Sequence, residues 1–535
     1  MGSVQKGKRD EGSLEIALSK KLLLVLVPSL LMSIFYILAG KVIEAILVLG
    51  VGVPLWFFLR HIAKERIPRR VDFNLITAVF HMYSLSLGET SPADLVGKIA
   101  ENKEYGFYSS VFQKIRRLAE DFGYGLTRAT AMMAESLKSP FRDFLVRCTN
   151  VFSSVEPKGY LEIEYTTLME EYSGYYARAI ETFKTLGGVF TAFQSVLVFL
   201  IMTLAIMSFL FIDPRVIIFV YIVAIIALIL MYALFRAASP KENIVYIGKH
   251  PHDLYLALKW SFLALGPSSA ILAFLLYFSK GPSLAFLVLG LGLIIPGLFG
   301  YRLERHIRKI DENYPTFLKS LGENLASTSD LKAALSYLLH MELGPLKELV
   351  KKALASLKLG ISHNQTLETL SSEAASYQVH ISNRILLDSL SRGADPFEIG
   401  KALGNHIVKF LEFRKKRESE AKSFQMIMMV MQPMSVLLLV IVRVFAGFLN
   451  SSLVQLPYFG FNEIPIPVLE VGNITLIFAM SVVNALILKE VSTGYWGTFL
   501  LTLGILLISS GITWMVAQIF IESILGSLPR IQLPV

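Results

Sequence analysis

The residues best suited to chemistry crowd into the stretch SRGADPFEIGKALGNH, Ser391 to His406. Three glycines, an Asp-Pro pair, a glutamate and a histidine within sixteen residues are what a catalytic loop could be made of. The same residues also satisfy a simpler requirement. Asp395 can act as a helix N-cap, Pro396 suits the first helical position, and Glu398 stands where a capping box places its acid. Gly393 can take the positive φ that often ends a preceding helix. An inter-helix turn therefore accounts for every residue of the stretch, and catalysis is not expected of it.

Other signatures of chemistry are sparse. No G-x-x-x-x-G-K-[ST] phosphate loop occurs: the Gly-Lys pairs at 40–41, 97–98, 248–249 and 400–401 lack both the first glycine and the hydroxyl residue. H-E-x-x-H and G-x-S-x-G are absent as well. His250 and His252, in KHPHD, are two lone imidazoles and read as a solvated loop, so no metal and no cofactor is expected. The single cysteine, Cys148, sits at an apolar helical-period position and reads as a buried structural thiol. The sharpest charged features are two basic clusters. YRLERHIRKI carries Arg302, Arg305, Arg308 and Lys309; FRKKRESEAK carries Arg414, Lys415, Lys416 and Arg417. Each basic residue near an anionic membrane surface contributes about 1 kcal/mol of attraction. The same clusters could dock an acidic partner.

The elements that position these residues are largely membrane-spanning. Of 535 residues 54% are hydrophobic and 17% charged, and mean hydropathy is +0.56. Soluble domains carry roughly 25% charged residues. Nine apolar runs are long enough to span, at about 22–39, 42–59, 188–212, 215–235, 259–278, 282–300, 427–448, 472–488 and 495–519. The first run is too long for a secretory signal and leads directly into the second. Basic residues concentrate in the tail 1–21, the linker 236–258 and two long polar regions, 60–187 and 301–425. The inside-positive rule then places the N-terminus in the cytoplasm and the C-terminus outside. The net charge of +9 follows from this bias, and no basic stripe with interleaved aromatics points to nucleic acid.

Landmarks of the two polar regions recur at an offset near 240 residues, which reads as a tandem duplication inserted in parallel. Both regions show helical apolar spacing, Leu137, Phe141, Phe144, Cys148, Val151 and Val155 in the first and Leu367, Leu370, Ala374, Tyr377, Ile381 and Ile385 in the second. Each is large enough for a helical bundle. The expected fold is all-α: about nine transmembrane helices, two cytoplasmic helical bundles, and an external loop at 449–471 before the last two spans. Asn450 and Asn473 head glycosylation sequons close to span ends. Charge inside the spans is scarce, and Arg443 is expected to snorkel to the outer surface.

Each polar region ends in an acidic turn before a long helix entering the membrane. This arrangement resembles the type II secretion F-domain family, the inner-membrane platform proteins of type IV pili, type II secretion systems and the archaellum. The family motif is similar to Gly-Glu-x-x-Gly-x-Leu. Glu156, Gly159 and Leu161 match it, with Val155 in place of the leading glycine. In the second copy Asp395 takes the acid position, Gly393 lies one residue early, and Glu398 replaces the later glycine. Nine spans resemble the archaeal members more than the bacterial ones. The resemblance implies a non-enzymatic platform that binds a hexameric secretion-type ATPase in the cytoplasm, prepilin- or archaellin-like subunits in the membrane, lipids, and further copies of itself. Adhesion-pilus and secretion platforms share these features. From a different class, a permease with cytoplasmic regulatory domains is the alternative.

Overall fold

The computed structural model describes residues 70–153, 157–210, 215–452 and 466–526. The tail 1–21, the spans at 22–39 and 42–59, Glu156, and most of the external loop lie outside the described residues. The described chain is helical, with one isolated antiparallel bridge, Val245 to Ser376. The first polar region forms α1 (Phe73–Leu85), α2 (Pro92–Glu101), α3 (Phe107–Glu120), α4 (Leu126–Glu135), α5 (Phe141–Ser153) and the long α6 (Pro157–Leu210). After α7 (Arg215–Ala238) and α8 (Asp253–Lys280), the chain enters α9 (Pro282–Thr328). The second polar region continues with α10 (Leu331–Leu338), α11 (Leu346–Lys358), α12 (His363–Ala374), α13 (Tyr377–Leu390) and the long α14 (Pro396–Ser452). Two apolar helices close the described chain, α15 (Ile466–Val491) and α16 (Trp496–Gly526).

Local chemistry explains the helix starts. Ser91 and Asp94 form a reciprocal capping box around Pro92 at the first turn of α2. Asp330, Ser362 and Ser376 cap α10, α12 and α13 through side-chain oxygens. The helix starts at Pro92, Phe107, Leu126, Phe141 and Pro157 recur at Leu331, Leu346, His363, Tyr377 and Pro396, an offset near 240 residues.

Seven described helices are long and apolar enough to cross a membrane, and each coincides with one of the seven predicted spans from 188–212 onward over nearly its whole length within the described residues. Three of them, α6, α9 and α14, are single helices of 54, 47 and 57 residues. At 1.5 Å per residue each is far longer than a bilayer core is thick. Each joins a segment of the polar bundle to an apolar span in one unbroken helix. Buried residues of both polar regions, from Val71 through Phe413, make one continuous core. A second core lies among the apolar spans. The membrane helices α9 and α16 approach through small residues: a methyl group added at Gly497 would lie 2.3 Å from the carbonyl carbon of Gly300.

The stretch Ser391–His406 is the turn between α13 and α14. Gly393 adopts φ 77°, and Asp395 Oδ1 accepts from the Phe397 N–H at 3.1 Å. Glu398 departs from the expected capping box. Its carboxylate accepts instead from Lys158 Nζ at 2.9 Å, at the equivalent start of α6. The other two glycines belong to the helix itself. A side chain at Gly400 would collide with the α9 backbone at Leu318, and one at Gly404 would run into the Lys319 side chain and crowd the Pro315 carbonyl at 3.1 Å. His406 is buried, stacked on Phe80 at 4.0 Å, with Nδ1 3.0 Å from the Tyr165 hydroxyl.

Candidate functional site

The long helices carry charge into the level where bundle meets membrane, and the buried charges gather there. Arg414 and Arg417 stand three residues apart on α14 and so share a face. Arg414 Nε donates to Glu242 Oε2 and its Nη1 to Asp311 Oδ2, both at 3.0 Å. Glu242 lies in the linker between α7 and α8; it also accepts from the Tyr172 hydroxyl of α6 at 3.3 Å. Asp311, on α9, accepts from the Ser376 hydroxyl as well. The guanidinium therefore ties α14 to α9 and to the linker, and Glu242 extends the tie to α6. Burial alone would lower the proton affinity of Arg414. The two carboxylates more than offset that and hold its pKa above the ordinary arginine value.

Arg417 is 2% exposed and touches no carboxylate. Its Nε donates to the Val491 carbonyl at 2.9 Å, Nη1 to the Pro240 carbonyl at 3.1 Å, and Nη2 to Ser239 Oγ at 2.7 Å and to the Glu490 carbonyl. Nη1 also reaches the Tyr176 hydroxyl at 3.4 Å. These carbonyls lie at or just beyond the C-termini of α7 and α15, where helix dipoles concentrate negative charge. The cation is balanced by two helix ends. Glu304 makes the opposite contact: its buried carboxylate accepts from the Tyr495 and Thr498 N–H groups at 3.1 and 2.9 Å and from the Thr498 hydroxyl. It thus caps the N-terminus of α16 from a helix some 190 residues away in sequence. A cavity of about 70 Å³ lies between these groups, lined by Glu304, Arg308, Asp311, Arg414, Glu418 and Thr498.

The linker is fastened on its other side. Tyr246 N–H donates to the Ala375 carbonyl and Tyr377 N–H to the Ile244 carbonyl, both at 2.9 Å. The Tyr246 ring stacks on His380 at 3.7 Å, and His380 pairs with Glu104 of the first polar region. Lys98 and His81 reach Asp388 at 2.7 and 3.4 Å, and together they pull its pKa down to about 2 against the effect of burial.

The basic clusters are thereby divided. Arg414 and Arg417 were expected to face lipid or a partner, but both are buried, because the linker and the helix ends supply acceptors closer than solvent does. Arg302, Arg305, Arg308, Lys309, Lys415 and Lys416 are exposed. Arg308 pairs with Glu418 at 2.8 Å. Of the motif residues, Leu161 is buried in the shared core, Gly159 is exposed, and Pro396 is half-buried beside exposed Gly393 and Asp395. Arg443 pairs with Glu470 across α14 and α15 at 2.9 Å. Asn473 is buried, donating to the Leu439 carbonyl and accepting from Tyr221, and is closed to glycosylation in this structure. Cys148 is buried as expected, and burial pushes its thiol pKa well up. His252 caps α8, and its ring lies 4.7 Å from that of His306. No group of three or more His, Cys, Asp or Glu side chains among the described residues is arranged to hold a metal.

Glu242, Asp311 and Glu304 went unrecognised in the sequence. Glu304 left a faint trace, as the lone acid inside YRLERHIRKI. Glu242 left none beyond being the lone acid of the segment RAASPKEN that follows a span.

Fold and junction together define a multi-pass helical membrane protein whose spans continue directly into a polar bundle. Two archaeal proteins named Flagella accessory protein J are its relatives. The chain is 24% identical to that of Methanocaldococcus jannaschii over 429 residues, which cover 75% of this chain and 76% of the relative. The same figures hold for that of Methanococcus voltae. No family model matches the chain, and no solved structure matches it significantly. The relation to archaellum accessory proteins agrees with the platform family that the sequence resembles.

Proposed function

We propose that this chain is a non-enzymatic platform of the cytoplasmic membrane that anchors and assembles a type IV pilus-like filament, the archaellum in particular. In this reading residues 60–187 and 301–425 are duplicated cytoplasmic domains. Nine spans cross the membrane, with the N-terminus inside and the C-terminus outside. A hexameric secretion-type ATPase docks on the cytoplasmic bundle. Its hydrolysis cycle moves the bundle, and the long helices carry that motion to prepilin- or archaellin-like subunits held beside the spans. Exposed Arg302, Arg305, Lys309, Lys415 and Lys416 meet lipid headgroups or the ATPase rim, and the platform acts as a homo-oligomer.

The observation that carries this reading is the continuity of α6, α9 and α14 from bundle to span, clamped by Arg414 and Arg417. A rigid, buried clamp transmits displacement where a flexible linker would absorb it. The duplication is supported by contacts between residues 240 or 241 apart, namely Lys158 with Glu398, Tyr165 with His406, and Tyr176 with Arg417. The test is co-reconstitution: the full chain in lipid nanodiscs is mixed with the purified secretion-type ATPase of the same genome. Binding together with a changed hydrolysis rate is expected. An ATPase that neither binds nor changes its rate would remove the proposal.

A further inference from the structure

Two equivalent turns expose large apolar side chains. Between α3 and α4 the chain reads Phe122-Gly123-Tyr124; between α11 and α12 it reads Leu359-Gly360-Ile361. The turns lie between equivalent helices of the two polar regions. In each a glycine with positive φ reverses the chain, 70° at Gly123 and 86° at Gly360. Each is pinned by the N–H that follows the glycine, Tyr124 to the Leu118 carbonyl at 3.3 Å and Ile361 to the Ser356 carbonyl at 3.1 Å. In such helix-ending turns the apolar residue after the glycine normally packs back on the helix. Here Tyr124 and Ile361 remain 42% and 41% exposed, and the residues before the glycines project further, Phe122 at 64% and Leu359 at 82%.

A lone exposed leucine needs no explanation. The same apolar pair displayed twice, on rigid turns in equivalent places, does. We propose that these turns are paired docking prongs for a homo-oligomeric protein ring, each entering an apolar socket on a neighbouring ring subunit. Two equivalent prongs fit a partner that repeats its own surface. The flanks define the socket's rim as acidic. Lys351, Lys358 and His363 lie exposed beside the second turn, and Lys114, Arg117 and Arg128 beside the first, where Glu120 and Asp121 temper the charge. A bilayer is the other surface that apolar and basic residues can meet, but placement favours protein. Helix α12 leads from the second turn to Ala375, whose carbonyl holds the linker between two spans. Its 12 residues set the turn about 18 Å along the helix from that linker-bound end.

The inference rests on the proposed docking of a ring ATPase and names the element that docks. The test places the full chain in lipid nanodiscs and measures binding of the same-genome secretion-type ATPase by interferometry. F122D and L359D are each expected to weaken binding about tenfold and the double variant about a hundredfold or more. F122S and L359S, which add no charge, should follow the same order. If wild type and the double variant bind within twofold of each other, the prongs are refuted and the platform reading stands. If the wild-type chain does not bind at all, both fail. A bimane label on Leu359→Cys should also stay unquenched by spin-labelled lipid; strong quenching assigns the turn to the bilayer and overturns the proposal.

Discussion

Replacing Arg417 with alanine should unfasten the junction, and its cost can be worked from the contacts. The guanidinium serves the carbonyls of Pro240, Glu490 and Val491 and the hydroxyl of Ser239 in a site closed to water. Each carbonyl left without a donor costs roughly 1–3 kcal/mol. Removing the cation also removes its own burial penalty, so the costs do not simply add. A net loss of about 3–5 kcal/mol is expected, the range for breaking a buried charged contact. At about 1 °C per kcal/mol for a chain of 535 residues, this lowers the melting temperature in detergent by about 3 °C or more. The loss should be local in origin. Hydrogen exchange should rise first in the linker 236–258 and the loop after α15, whose carbonyls Arg417 holds. Arg417→Lys keeps the charge but cannot span four acceptors, and should fall between the two. A melting point within 1 °C of wild type, with exchange unchanged in both segments, would refute the view of Arg417 as a clamp.

Three further outcomes follow from the same structure. Gly497→Val inserts a side chain where 2.3 Å is available beside Gly300; it should part α9 from α16 and destabilise by about 1–3 kcal/mol or more, read by thermal melting. Burial holds His406 down to about 3, whereas in the unfolded chain it ionises near 6.5. Only the unfolded state takes up that proton, so stability falls as pH drops from about 6.5 toward 3, by up to about 1.4 kcal/mol per pH unit. The slope should flatten in His406→Phe, checked by denaturant melts at a series of pH values. For orientation, His250→Cys adds an exposed thiol while native Cys148 is buried. An impermeant maleimide should label it only after the membrane is opened, and labelling of intact cells would invert the topology.

Much of the fold is legible because it depends on periodicity and length. Seven apolar runs reappear as helices, and the Asp395-Pro396 turn is read from residue types that only a helix start requires. The site is less legible, since its pairings join residues far apart in sequence. Arg414 meets partners 172 and 103 residues away, and no local spacing announces them. A run such as Arg414-Lys415-Lys416-Arg417 looks uniform as a string. On a helix its members face different ways, so Lys415 and Lys416 reach solvent while the arginines turn inward. Glu398 shows the same limit. Its spacing fits a capping acid, but the opposing start of α6 offers Lys158 as a partner. Gly400 and Gly404 read as loop residues in the string, but both lie in α14 against α9, and the α9 backbone at Leu318 requires the small residue at Gly400.

The most direct test of the platform reading is genetic, in an archaeal host that carries this gene. Deletion should leave the ATPase and the filament subunits present but the cells without archaella by electron microscopy. The wild-type gene should restore filaments, and Arg417→Ala should restore few or none even when its protein reaches the membrane at wild-type level. Deleted cells that still assemble archaella would contradict the account.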